Sequence, residues 1–79
     1  MDISNDRDPL FAEVARMIVM SQDASTSMIQ RRFSIGFNRA GRLIDQMEAA
    51  GIVGPAQGSK KREVHIGTES ELDNLINNL

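Results

Sequence analysis

The chain contains no cysteine, so neither a disulfide framework nor a thiolate metal site is available to stabilise it. Its one histidine, His65, has no second histidine or cysteine to complete a ligand set, so it reads as a strand residue and no metal is expected. Long apolar runs are missing as well. None approaches the roughly 20 residues of a membrane span, and the opening Met1-Asp2-Ile3-Ser4-Asn5-Asp6 is acidic where a secretory signal would be basic. These absences lead to the expectation of a soluble, cytoplasmic domain that makes no membrane contact of its own. A chain of 79 residues makes one domain and buries only about 60% of its unfolded surface, which leaves little room for an enzyme cleft. Ser25, Thr26 and Ser27 lack a nearby base, and Lys60 after Gly58-Ser59 lacks the spacing of a phosphate-cradling Gly-rich loop. No catalytic residue and no cofactor is expected.

What is present is an uneven charge distribution hidden under a net charge of −2. Residues 1–24 sum to −3, residues 25–62 to +5, and the remainder to −4. The basic middle block comes from Arg31, Arg32, Arg39, Arg42, Lys60, Lys61 and Arg62 against Asp45 and Glu48. On charge alone two readings stand level: a phosphate footprint, and the solvated face that scattered cations on helices usually form.

Asp8-Pro9 opens the first helix, Asp as N-cap and Pro at the first helical position, with Leu10, Val14, Met17 and Ile18 as its apolar stripe to about residue 21. After a turn at Gln22-Asp23-Ala24, the hydroxyls of Ser25-Thr26-Ser27 start a second helix, Ser27 and Gln30 having capping-box spacing. Ser34-Ile35-Gly36 breaks it, Gly36 being suited to a tight turn, and residues 37–50 read as a third helix closed by a left-handed Gly51. Ile52-Val53 and Glu63-Val64-His65-Ile66 read as two short strands around the basic loop Gln57-Gly58-Ser59-Lys60-Lys61-Arg62. Thr68 and Glu71 then cap a tail helix with the stripe Leu72, Leu75, Ile76 and Leu79. The expected fold is mainly α with a small β-hairpin: a winged helix-turn-helix of three helices plus a wing, followed by a short extra C-terminal helix. Residues 1–7 read as a disordered N-terminal segment, 8–66 as the winged-helix DNA-binding domain, and 67–79 as an acidic tail.

At about 100° per residue, Phe37, Ala40, Leu43, Ile44 and Met47 gather on the core side of the third helix and leave Asn38, Arg42 and Asp45 on the other. These are side chains of the types that read base edges: Arg on guanine, Asn on adenine, a carboxylate on cytosine. The competing reading is an ordinary solvated face in which Arg42 pairs with a neighbour one turn away. The helix-turn-helix context favours base readout. Arg31, Arg32, Arg39, Lys60, Lys61 and Arg62 are then the candidate phosphate contacts, because long cations outside the stripe suit backbone contact.

The run from Ala24 to Glu48, above all Ile35-Gly36-Phe37-Asn38-Arg39-Ala40, together with Gly51-Ile52-Val53-Gly54-Pro55, Gly58-Ser59-Lys60 and Arg62-Glu63-Val64, closely resembles the C-terminal gamma domain of the FtsK/SpoIIIE family of bacterial DNA translocases. The resemblance covers residues 8–66. It implies a non-catalytic module joined to the motor domain of an ATP-driven translocase whose parent protein is anchored in the inner membrane. It also implies recognition of double-stranded DNA at short, G-rich, strand-polarised motifs that orient loading and travel during chromosome segregation and cell division. The family's base-reading positions fall on Asn38, Arg42 and Asp45. Certain members activate a tyrosine recombinase through this domain, so a protein-docking winged helix stays as the alternative.

Overall fold

The computed structural model describes residues 7–58 and 60–79, so most of the expected disordered segment, residues 1–6, lies outside the described residues, as does Ser59 of the basic loop. Four helices make up most of the structure: α1 Phe11–Ser21, α2 Thr26–Phe33, α3 Phe37–Ala49 and α4 Glu69–Asn77.

The first helix starts later than expected. The Asp8 carboxylate does accept a free amide, the N–H of Leu10 at 2.9 Å, but it closes a turn ahead of the helix, and the Phe11 N–H bonds back to the Asp8 carbonyl. Helical pairing begins with the Val14 N–H on the Leu10 carbonyl. Phe11, Val14, Ala15, Ile18 and Val19 are buried, whereas Leu10 and Met17 only flank the core. The α1 stripe is therefore rotated from the expected one, towards the small and β-branched residues. Gln22 ends α1 in the left-handed region and donates its side-chain amide to the carbonyls of Val19 and Ile66.

In α2 the N-cap is Ser25, whose hydroxyl accepts from Met28 N–H, in place of the expected Ser27. The turn to α3 also differs in detail. Ser34, at φ 54°, takes the left-handed conformation, while Gly36, at φ −78°, is extended and serves as the N-cap of α3. Non-glycine residues adopt that region at a cost of about 1 kcal/mol or more. Here the Ser34 and Ile35 N–H groups both bond the Gln30 carbonyl, which satisfies the end of α2.

The end of α3 follows expectation. Gly51 is left-handed at φ 83°, the Ile52 N–H reaches the Met47 carbonyl, and the Gly51 N–H reaches that of Glu48. This double closure turns Ile52 and Val53 directly into the core.

The two expected strands shrink to isolated antiparallel bridges, Val53 with Val64 and Gln57 with Lys60. Two ladder bonds flank the Val53–Val64 bridge, Gly54 N–H to the Glu63 carbonyl and His65 N–H to the Ile52 carbonyl. The ladder stops there because the Ile52 N–H is given to the Met47 carbonyl at one end and the Gly54 carbonyl is taken by the Arg62 guanidinium at the other. At this crossing a Cβ on Gly54 would lie 3.1 Å from His65 Nε2, so the half-exposed imidazole would have to give by a few tenths of an ångström. The structure is thus mainly helical with little strand.

Thr68 caps α4 as expected, accepting from Glu71 N–H. The helix packs on α1 by burying Leu72, with Leu75 and Ile76 at the margin. Arg16 of α1 bonds Glu69 and Asp73 across that seam. Leu79, expected in the apolar stripe, lies past the end of α4 and is 50% exposed.

Candidate nucleic-acid interface

Burial of Ala40, Leu43, Ile44 and Met47 fixes which way α3 faces, and Asn38, Arg42 and Asp45 emerge exposed on the opposite side. Among the described residues no hydrogen bond or ion pair joins these three to each other or to a neighbour. The local pairing of Arg42 that an ordinary solvated face would show is not formed. Gly41 borders the stripe, and a Cβ there would meet nothing within 4 Å, so packing does not require glycine at this position.

Phe37 departs from its expected place in the core. It is the first residue of α3 and is 67% exposed. Helical periodicity puts it on the margin of the apolar face, and the described residues leave the ring largely uncovered.

The six candidate phosphate contacts divide by what already holds them. Arg31 and Arg32 are exposed on the last turn of α2, where a cation also suits the negative end of the helix dipole. Lys60 is exposed in the loop, and Lys61, 79% exposed, lies 3.7 Å from Asp23 in a loose pair worth little in water. Arg39 and Arg62 are engaged in pairs within the molecule. The Arg39 Nε and Nη2 donate to the two Asp8 oxygens, each at 2.9 Å. The Arg62 Nη1, on a side chain 21% exposed, donates to Glu48 Oε1 and to the Gly54 carbonyl, each at 3.1 Å.

The Asp8–Arg39 pair perturbs both partners. The Arg39 hydrogen bonds hold the Asp8 carboxyl below its ordinary value; burial opposes this, while the Leu10 N–H and the charges of Arg39 and Arg42 add to it. Arg39 is pushed up by the same hydrogen bonds. In the sequence Asp8 was legible only as a helix-start signal. Its partner lies 31 residues away, and no local pattern announces such a pair.

An open cleft of about 360 Å³ separates Ala24, Ser25 and Thr26 from Ala56, Gln57 and Gly58, with Lys60, Lys61 and Arg62 along its edge. It joins the start of α2 to the basic loop, which are therefore on one side of the molecule. No group of three or more His, Cys, Asp or Glu among the described residues is arranged to hold a metal, and His65 instead approaches Glu63 at 3.5 Å. No helix among them is long and apolar enough to cross a membrane.

The sequence has relatives among known proteins. A family model described as the Ftsk gamma domain matches residues 5–67. The chain is 52% identical over 73 residues to a protein named DNA translocase FtsK from Chlorobaculum tepidum, covering 92% of this chain and 9% of that protein. A protein of the same name from Streptococcus pyogenes is 58% identical over 57 residues, 72% of this chain and 7% of its own length. One from Corynebacterium efficiens is 52% identical over 75 residues, 95% of this chain and 8% of its own length. The chain thus spans less than a tenth of the length of each of these relatives.

Proposed function

Because this chain belongs to the FtsK gamma domain family, we propose that it binds double-stranded DNA sequence-specifically and gives direction to a DNA translocase. It is a non-catalytic module that recognises short, G-rich, polarised motifs and so orients the loading and travel of the motor domain joined to it. The parent protein acts in chromosome segregation and cell division and is anchored in the inner membrane. In this reading residues 8–66 form the DNA-binding unit, and residues 67–79 are an appended acidic segment.

The observation that supports this best is the outward stripe Asn38, Arg42 and Asp45, exposed and with no side-chain hydrogen bond or ion pair to a described neighbour, on the second helix of a helix-turn-helix pair. Such a helix enters the major groove with its first turns against the base edges, and Arg42 is placed to take guanine O6 and N7 together. The antiparallel segments 52–54 and 63–65 with their loop act as the wing. Arg31, Arg32, Lys60 and Lys61 contact phosphates, while Arg39 and Arg62 serve as struts through Asp8 and Glu48.

Selection from a random duplex pool tests the proposal. Enrichment of a non-palindromic G-rich motif by the 79-residue chain is the expected result, and a pool that emerges without a motif would count against it. A second reading, docking to a tyrosine recombinase, is favoured by Phe37, since an uncovered ring at a helix start is a natural protein contact. That reading expects loss of recombinase activation, with DNA selection intact, when Phe37 is replaced by Ala.

A further inference from the structure

The segment ahead of α1 reaches α3 at two heights. The Asp8 backbone N–H donates to Gln46 Oε1 at 3.1 Å, and the Asp8 carboxylate receives both bonds from Arg39. Residues 39 and 46 lie two turns apart on one line down the flank of α3, about 10 Å apart along its axis. The buried face of α3 sets which way the helix points, and these two attachments, converging on Asp8 from two heights, brace it against small tilts.

The attachment is well built. The Asp8 side chain is 12% exposed, and its Oδ1 also accepts the Leu10 N–H, so the carboxylate is itself held by the turn that begins α1. Ion pairs that are fully exposed are worth little. This one is bidentate, shielded on the carboxylate side and anchored at the backbone, the arrangement in which a planar guanidinium is most directional. The flank it grips borders the reading stripe, close enough for the Arg42 charge to be felt at Asp8.

Resting on the DNA-reading role proposed above, we infer that Asp8 is a positioning residue for base readout. It holds α3 at the orientation that presents Asn38 and Arg42 to the groove. Arg39 is the strut through which it acts, and the Gln46 contact sets the second height. Neither Asp8 nor Arg39 touches a base in this scheme, so their loss is felt in discrimination more than in general affinity for DNA.

The test uses the whole chain with Asp8→Asn and Arg39→Gln, singly and together. Each is titrated at one salt concentration against the duplex enriched from the random pool and a scrambled duplex of the same composition. Thermal unfolding establishes that each variant is folded at the assay temperature. Asp8→Asn retains an oxygen for Leu10 but loses the charge and one of the two acceptors that Arg39 uses. The matched-to-scrambled affinity ratio should fall about three- to tenfold in each single variant and no further in the double, since both cut the same joint. Affinity for the scrambled duplex and the salt slope should hold. An unchanged ratio in folded Asp8→Asn overturns the inference. So does an equal loss on both duplexes in Arg39→Gln with a salt slope lower by about one unit, because that is the signature of a phosphate contact. If Asp8→Asn is unfolded at the assay temperature, Arg39→Gln alone decides between these results. A wild-type chain that discriminates no duplex defeats the DNA-reading role first, and is seen before any variant is compared.

Discussion

The Arg39 guanidinium meets both oxygens of the Asp8 carboxylate at 2.9 Å, joining the start of α1 to the flank of α3 across 31 residues. In a fold of 79 residues such a tie gives stability a pH dependence of known sign.

Asp8 has a lower pKa folded than unfolded, so its contribution is fully present above the ordinary carboxylate value of 3.8 and is lost as pH falls through the depressed folded value. Urea midpoints of wild type and Asp8→Asn, measured from neutral pH downwards, should differ most at neutral pH and converge as pH falls below 3.8 through the depressed folded value. A gap that widens in acid would mean that the pair does not set the Asp8 pKa.

Arg42→Ala should lose about 1 to 3 kcal/mol of discrimination for the enriched duplex, the worth of a bidentate guanine contact. Its melting temperature should hardly move, because the side chain is exposed and bonded to nothing described. Titration against matched and scrambled duplexes at one salt separates the outcomes: equal loss on both makes Arg42 a phosphate contact, and no loss on either moves the stripe towards protein docking.

The basic loop should separate into two kinds of residue. Replacing Lys60 and Lys61 by Ala should lower the salt slope of binding by about 1 to 2 units on all duplexes and leave stability alone. Arg62→Ala should do the reverse. It removes the donor to the Gly54 carbonyl and Glu48, costing about 1 kcal/mol in chemical denaturation.

Gly41→Ala should stabilise the chain by about 0.5 to 1 kcal/mol, since the added Cβ meets nothing within 4 Å and alanine loses less backbone entropy in a helix. The same change at Gly51, at φ 83°, should destabilise by about 1 kcal/mol or more, because an L side chain is strained there. Denaturation midpoints of the two variants should therefore move in opposite directions.

Leu72→Ala should cost about 2 to 5 kcal/mol, the range for deleting a buried leucine side chain, because Leu72 is the fully buried anchor of α4 on α1. The matched-to-scrambled ratio should stay unchanged wherever the variant is folded, since α4 packs on α1 and presents no cation. Lost discrimination in a folded variant would give α4 a part in DNA reading.

Local chemistry written in neighbouring residues was enough to determine several features of this protein. The hydroxyl at Thr68, the glycine at position 51 and the apolar spacing of Ala40, Leu43, Ile44 and Met47 act over one or two turns, so these helix ends and the buried face of α3 were legible directly. The exposed stripe Asn38, Arg42 and Asp45 follows from that same spacing. Tertiary structure alone decided which cations are free and which are struts, because Arg39 with Asp8 and Arg62 with Glu48 pair across 31 and 14 residues. It also decided that Phe37 stands uncovered, since periodicity assigns a face but not whether another element arrives to cover it. The hairpin was reduced for a similar reason. Its alternating residues suit a strand, but the Ile52 N–H bond to the Met47 carbonyl and the Arg62 bond to the Gly54 carbonyl deny the ladder its next partners. Periodicity and capping are short-range constraints; competition for a hydrogen-bond partner is settled only when distant segments meet.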